Sequence, residues 1–592
     1  MFFCSLLVNI ARGVSRSYFD FSNQKTVPLV GYKLWLLGAS PPSATFPRAF
    51  FLCDFSEVIL MGHAKTVLGN FALSGQTNRE GFPAFKRDWK EQYLQMLLTN
   101  SMKDTFYASG QELCKDALEL HRFAADEDPV FMARALAFAR NEGFMRLQPI
   151  VGLAVLSLCS PTQFSQAFPQ VIRIVPDLVE FSLALESLGR GQGGRAVKRS
   201  VSLFLNSLDE YVAMKYAGKG RGFTLRDLLR VYHPKPKDDK SADLFRYINK
   251  KLVWDDGAKA RLPQLDAYEQ LKRIDHNDTA KAVELISAGL LPDNVVTGIV
   301  NSSNADIWQA LLPDMPMFSL LRHLVSLVRH GVLTKEFNEF VASRLSDAEA
   351  IKRAKILPFR FVQAWRQLDA LRRNKTVESP EGNTLDKEWW LLKVLEKAVE
   401  ASVEAMPDLP GRTAVMLDIS GSMQGRFLDA GSVLALSLLK KTGGRGRFML
   451  FDTESDDVHV DPNETIIRAA SRIDTRGGTD TGVCLKQLTR EKDFFDTLII
   501  VTDEQQNTGS PFYKQLRKYR REINPEARAF VIDVSPYGSA MTPPDDGKTW
   551  YCYGWSDQIV SFIALALRGY GDLVETVSKI NLAAGEGGAA SA

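Results

Sequence analysis

Residues 413–422 read TAVMLDISGS, and this stretch decides the architecture of the C-terminal third of the chain. A short apolar, β-prone run stops at Asp418, and a loop of small polar residues follows it. The same grammar returns in GRFMLFD (446–452), TLIIVTD (497–503), ARAFVIDVS (527–535) and TWYCYGW (549–555). Between these runs lie segments of helical period, FLDAGSVLALSLLKK (427–441) and PFYKQLRKYRREI (511–523). Strands alternating with helices predict a mainly parallel sheet covered on both faces, with loops at the carboxyl ends of the strands converging on one edge.

Two of those strands deliver aspartates to that edge. The first gives Asp418 with Ser420 and Ser422; the second gives Asp503. The intervening loop RGGTDTG (476–482) adds Thr479 behind two glycines. Every donor is an oxygen, with no His or Cys among them, so a hard cation is indicated and zinc is not. Few carboxylates and several hydroxyls suit a site that keeps waters and an open position, favouring Mg²⁺, with Mn²⁺ as second choice, over a Ca²⁺ cage. Asp480 and Glu504, next to two of these positions, read as solvated loop charges. Asp418-Ile-Ser420-Gly-Ser422 with Thr479 and Asp503 resembles the metal-ion-dependent adhesion site of von Willebrand factor A domains. That resemblance implies direct ligation by Ser420, Ser422 and Thr479, water-mediated contact from Asp418 and Asp503, and an acidic protein ligand at the open position.

Upstream, from about Arg79 to Glu404, amphipathic helices follow one another with short breaks, as in QELCKDALELHRFA (111–124), PVFMARALAFAR (129–140) and KEWWLLKVLEKAVEASVEAM (387–406). Phe85, Trp89, Tyr93, Met96 and Leu97 are spaced as one face of a helix. Such a succession predicts an α-solenoid of HEAT type, each helix pair burying its apolar face on the next. The domain plan is therefore an extension over 1–74 foreign to the fold, with Met61 as the more ordinary start; a helical-repeat unit over 75–406; an α/β unit over 407–570; and a flexible tail over 571–592 that begins with a weak helix and ends in the disordered run AAGEGGAASA.

Bulk properties narrow the class. Of 592 residues, 45% are hydrophobic and 24% charged, ordinary for a globular protein, and no uncharged apolar run is long enough to span a bilayer. The six cysteines are scattered without a CxxC pair, which suits a reducing, cytoplasmic setting. The net charge of +3 conceals a local imbalance: between Arg190 and Lys251 fifteen basic residues stand against six acidic ones, a local charge of +9. A face of this kind neutralises phosphates and releases counterions, and the interleaved Tyr211, Tyr216, Phe223, Tyr232 and His233 offer rings for unpaired bases. Gly189, Gly191 and Gly194 spell GxGxxG, but a helix precedes them, so they read as a connector and not a dinucleotide fingerprint. No phosphate loop, zinc-protease or nucleophile-elbow motif is present, so the expectation is a non-enzyme.

The run KYAGKGRGFTLRDLLRVYHPKP (215–236) resembles the signature of the Ro (TROVE) family, and TNREGFPAF (77–85), RNEGFMR (140–146), ESLGRGQGGRAVKRS (186–200), MPMFSLLRHL (315–324) and KILPFRFVQAW (355–365) are similar to family segments in the same order. The resemblance implies a helical ring that binds small noncoding Y RNA outside and single-stranded ends of misfolded RNA in its hole. It also implies a role in RNA quality control and an exoribonuclease tethered through the RNA. Lys215 and His233 match RNA-contacting positions of the family, and the second basic position falls to Lys219 or Arg221. Tyr216, Arg226 and Arg230 extend this candidate interface; Arg140, Arg190 and Arg195 are weaker candidates. A monomer independent of membranes is expected. The alternative is a metal-dependent protein-adhesion module that uses the helices as scaffold.

Overall fold

The computed structural model describes residues 76–582, apart from 81–82, 86, 101, 104, 106–107, 192, 218–222, 276, 301–303, 355, 357, 374–388, 405, 462, 538–539, 544–545, 555–557 and 568–571. The extension read over 1–74, with Met61, lies outside the described residues. Among those residues, no helix is long and apolar enough to cross a membrane.

Among the described residues from Trp89 to Glu404 the regular elements are all helices, and local chemistry sets their ends. The Ser109 side chain caps the Gly110–Glu127 helix by accepting from Glu112 N at 3.2 Å. Asp128 closes that helix and opens Pro129–Asn141, its carboxylate taking Phe131 N at 2.9 Å with Pro129 at the first helical position. The buried Asp177 carboxylate joins three segments, binding Arg140 Nη2 at 3.0 Å, Arg146 Nε at 2.6 Å and the backbone N–H groups of Arg173 and Ile174. The GxGxxG segment is a connector: Gly189, Gly191 and Gly193 have φ of 72°, 55° and 71° between the Val175–Ser187 and Arg195–Asn206 helices.

The α/β unit holds a six-stranded sheet of order β5-β4-β3-β6-β7-β8, where β3 is Thr413–Asp418, β4 Gly446–Phe451, β5 Ser455–Asp457, β6 Thr497–Thr502, β7 Arg528–Asp533 and β8 Thr549–Tyr553. All pairings are parallel except that of the edge strand β5. The two-residue period divides the core. Val415 and Leu417 face the apolar mass continuous with the helical array, while Ala414 and Met416 face a second core under the Val483–Glu491 and Phe512–Glu522 helices. From β3 the chain steps to β4 on one side and returns to β6 on the other. The crevice at the carboxyl ends of β3 and β6 is thus the topological switch point, where open α/β sheets bind ligands.

Two seams close the helical array into a ring through the α/β unit. At one, Arg366 meets Asp429, Lys440 meets Glu400 and Arg468 Nε meets Glu396 at 3.0 Å. At the other, the chain entering the first helix, which includes the hairpin of β1 (Gln76–Thr77) and β2 (Pro83–Ala84), lies on the sheet unit. Phe85 does not extend the first helix as its spacing predicts. Asp88 caps that helix at Trp89, and Phe85 instead makes an antiparallel bridge to Ala540. Glu504, read as a solvated charge, is buried here against Arg87, whose guanidinium also reaches Asp533 at 3.4 Å and lies over the Tyr551 ring at 4.2 Å. Asn78 Nδ2 donates to the Gln506 carbonyl at 2.8 Å, and Gln95 Nε2 donates to Asp533. Asp480 is likewise buried, accepting from Gly482 N at 3.0 Å.

The weak helix read after Gly571 is present and docked, so the flexible-tail reading does not hold for its residues. Leu573–Ser578 is a helix that buries Leu573 and Val577, one turn apart, and packs on the first and third helices, with Arg134 donating to the Ser578 carbonyl. Residues 583–592 lie outside the described set.

Removing one partner of a buried charge cluster strands the others, at a cost of about 3 to 5 kcal/mol, whereas surface pairs such as Arg79–Glu112 contribute about 0 to 1 kcal/mol. Arg87→Ala should therefore lower the urea midpoint sharply and Glu112→Ala hardly at all. Adding Glu504→Gln and Asp533→Asn to Arg87→Ala should recover part of the loss.

Candidate RNA interface and metal centre

The helical candidates surround a connector. Lys215 and Tyr216 end the Glu210–Tyr216 helix, and Lys219 and Arg221 fall in 218–222, outside the described residues. The Thr224 and Asp227 side chains form a capping box, starting the Leu225–Tyr232 helix. His233 ends that helix in the left-handed region, φ 47° and ψ 54°, its N–H held by the Leu229 carbonyl at 3.0 Å, and Pro234 prevents continuation. Tyr232 points inward, its hydroxyl 3.0 Å from Ser182 Oγ, and the reversal leaves His233 exposed. Tyr232 is therefore an anchor and not a stacking surface. Asp238 then caps the Asp239–Ile248 helix.

Between these helices opens a cavity of about 470 Å³. Arg230, His233, Arg246 and Lys251 line it together with Leu229 and Phe245. Arg230 is 63% exposed, with Asp227 only at 3.9 Å; Arg246 is held by Asp243 at 2.7 Å. Lys215 is half-buried, its Nζ 5.2 Å from the Tyr211 ring centre and 5.5 Å from that of Tyr216. Arg226 Nε caps the neighbouring helix through the Ile248 carbonyl at 3.1 Å. Arg190 and Arg195 are exposed on the Gly-rich connector and the start of the next helix. Arg140 is 16% exposed and committed to Asp177 and the Val171 carbonyl, so its part is architectural. Sequence reasoning passed over Arg246, Asn249 and Lys251 as lining residues. The signal available was RYINKKL, a helix end followed at once by two lysines.

At the sheet edge, backbone bonds stitch three loops together. Gly421 N donates to the Gly477 carbonyl at 3.2 Å and Arg476 N to the Ile419 carbonyl at 2.7 Å. Thr479 N donates to Asn507 Oδ1 at 2.9 Å, and Asn507 N returns to the Thr479 carbonyl at 3.0 Å. Gly477 has φ 66°, and a Cβ there would come 2.7 Å from Asp452 Oδ2, so both conformation and space require glycine. Asp418, Ser420, Ser422, Thr479 and Asp503 are all buried. Asp418 accepts from Ser420 N at 2.9 Å and Thr502 Oγ1 at 2.6 Å, and the hydroxyls of Ser420 and Ser422 lie 3.3 Å apart. Asp503 Oδ2 is buried with no hydrogen-bond partner. Burial, then the neighbouring Asp418 charge, push the Asp503 carboxyl up to about 8; burial likewise raises Asp418 to about 6. A buried, mutually repelling carboxylate pair with an orphaned oxygen and hydroxyls beside it fits a small hard cation.

The fold and the two sites define a class: a helical-repeat ring joined to an α/β domain of von Willebrand A type. Residues 299–418 match the TROVE domain family and 412–564 the Ro60 vWA domain family. The chain is similar to the RNA-binding protein RO60 of Caenorhabditis elegans, 24% identical over 320 residues, covering 52% of this chain and 48% of that protein. It is also similar to telomerase protein component 1 of Rattus norvegicus, 24% identical over 344 residues, covering 48% of this chain and 13% of that one. The chain thus spans about half the length of the first relative and far less of the second. The crystal structure of the Deinococcus radiodurans RO (RSR) protein superposes with a TM-score of 0.59 at 20% identity, covering 81% of this chain and all of that one, which shows a common fold. The chain thus carries a match to the TROVE domain family followed directly by a match to the Ro60-type von Willebrand A domain family.

Proposed function

We propose that the chain binds structured noncoding RNA, Y-like in form, on the outer surface of the helical ring and receives single-stranded ends of misfolded RNA in the hole, serving RNA quality control in the cytoplasm as a non-enzyme. The observation that carries the reading is the His233 cavity, where Arg230, His233, Arg246 and Lys251 converge over Leu229 and Phe245. Four donors around an apolar floor give phosphates charge and a base a surface to rest on. The relative described as an RNA-binding protein supports the same reading; in this proposal the bound RNA would be the tether for an exoribonuclease.

At the sheet edge, Ser420, Ser422 and Thr479 would hold Mg²⁺ or Mn²⁺ directly, with Asp418 and Asp503 acting through water. The ion would supply a point of positive charge for an acidic protein ligand. The orphaned Asp503 oxygen supports this assignment and gives the second reading, metal-dependent protein adhesion, its physical footing.

Arg230→Ala, His233→Ala and Lys251→Ala combined should weaken binding of a stem-loop RNA by about a hundredfold and flatten its salt dependence by roughly two contacts' worth, with thermal unfolding nearly unchanged. Unaltered affinity in filter binding would reject the RNA interface. Lys215→Ala with His233→Ala should act in the same direction. The metal assignment predicts a pH effect of definite sign. A cation needs the ionised carboxyls, and Asp503, raised to about 8, must lose its proton first. Mn²⁺ affinity by titration calorimetry should therefore rise by roughly tenfold per pH unit from pH 6 toward 8 and then level off. Asp503→Asn should abolish that slope.

A further inference from the structure

The Phe512–Glu522 helix lies on the face of the sheet away from the helical array and buries Phe512, Leu516 and Tyr519 in the second core. Its opposite side carries Lys514, Arg517, Lys518 and Arg521, spaced i, i+3, i+4 and i+7, all exposed. Several surface cations of the same domain are neutralised: Arg412 pairs with Asp493, Arg447 with Asp457, Glu491 and Asp493, Arg472 with Glu464, Arg476 with Asp452 and Asp456, and Lys548 with Glu526, whereas Lys486, Arg490 and Lys492 at the adjoining Val483–Glu491 helix are exposed and, among the described residues, outside any ion pair. Arg520, on the same helix, is taken up by Asp546 at 2.7 Å. Among the described residues, no such ion pair holds Lys514, Arg517 or Lys518, and Arg521 meets only the adjoining Glu522; Arg517 lies 5.7 Å from the Tyr513 ring centre.

Local stability does not account for this stripe. The first turn has no acid and contains Lys514, against the helix dipole, and like charges repel one another at i, i+4. A helix that keeps a destabilising charge pattern after its apolar face is satisfied points to a use for the charge. Successive cations recur about once per 5.4 Å turn, a linear array for a linear polyanion. The four positions include no exposed apolar side chain, so the face lacks the buried anchor on which a protein partner's affinity concentrates.

We infer that the Lys514–Arg517–Lys518–Arg521 face of the von Willebrand A domain is a second RNA contact, gripping the phosphodiester backbone without reading bases. The inference rests on the reading of the chain as an RNA binder and adds to it a surface outside the helical ring. The test uses the full chain and a 5′-labelled oligouridylate, which presents phosphates with little structure. Lys514→Glu, Arg517→Glu and Lys518→Glu combined, all solvent-facing, should keep or slightly raise the thermal midpoint, since they relieve the repulsion and place an acid in the first turn. They should weaken oligouridylate binding by about tenfold or more and reduce the slope of log affinity against log salt by about two. A benzophenone amino acid at position 518 should crosslink to the RNA. Wild-type affinity and slope in the charge-reversed protein, or tighter capture of polyglutamate than of oligouridylate by the intact face, would overturn the inference. Wild-type protein that binds neither oligouridylate nor stem-loop RNA would instead remove the RNA reading itself. Loss of stem-loop binding through the His233 variants, with the charge-reversed protein unaffected on both RNAs, removes only this second surface.

Discussion

The Arg87 guanidinium is buried between Glu504 and Asp533, carboxylates some four hundred residues further along the chain. Burial pushes both acids up from their ordinary values against the pull of the one shared cation, so neither can be left alone without penalty. Glu504 directly follows Asp503, and its backbone φ of 60° turns the chain so that one side chain faces the metal edge and the next faces the helical array. The loop that supplies a candidate ligand is thus the loop that receives the first segment of the ring. Asn78 and Arg79 add bonds to the same loop, through the Gln506 carbonyl and the Gln505 side chain.

Charge is used in opposite ways across the molecule. In the first helices and along both seams, cations are spent on named acids: Arg140 and Arg146 on Asp177, Arg366 on Asp429, Arg468 on Glu396. Around His233 they converge on a cavity, where only Arg246 is held closely by an acid, and along the outer face of the Phe512–Glu522 helix Lys514, Arg517 and Lys518 are, among the described residues, in no ion pair, with Arg521 meeting only Glu522. The modest net charge of the chain is the sum of these two economies, which is why it says so little about binding.

What was legible in the sequence follows what is local in the physics. The strands ending in Asp418 and Asp503 are short-range patterns, and the parallel pairing of β3 with β4 and β6 follows from their alternation with helices. His233 was singled out by the resemblance of its segment to a family, and the exposed left-handed turn that Pro234 enforces there is a local feature of the same run. Phe85, Glu504 and Tyr232 were misread for a common reason: each is defined by a partner remote in sequence, Ala540, Arg87 and Ser182 respectively. No periodicity carries that information. The short Leu573–Ser578 helix read as weak because its two apolar residues one turn apart do not show the surface they cover. The ends of the basic loop, Lys219 and Arg221, stand as sequence assignments alone.

The seam at Arg87 also sets an order of events during synthesis. Arg87 and Asp533 are 446 residues apart, so at roughly 5 to 20 residues per second the N-terminal strap leaves the ribosome about 20 to 90 s before its partner is made. Throughout that interval β1, β2 and the first helix have no sheet to lie on, and the helical array stays an open arc. The Arg87 seam, and with it this closure of the ring, can form only once the last strands have been made.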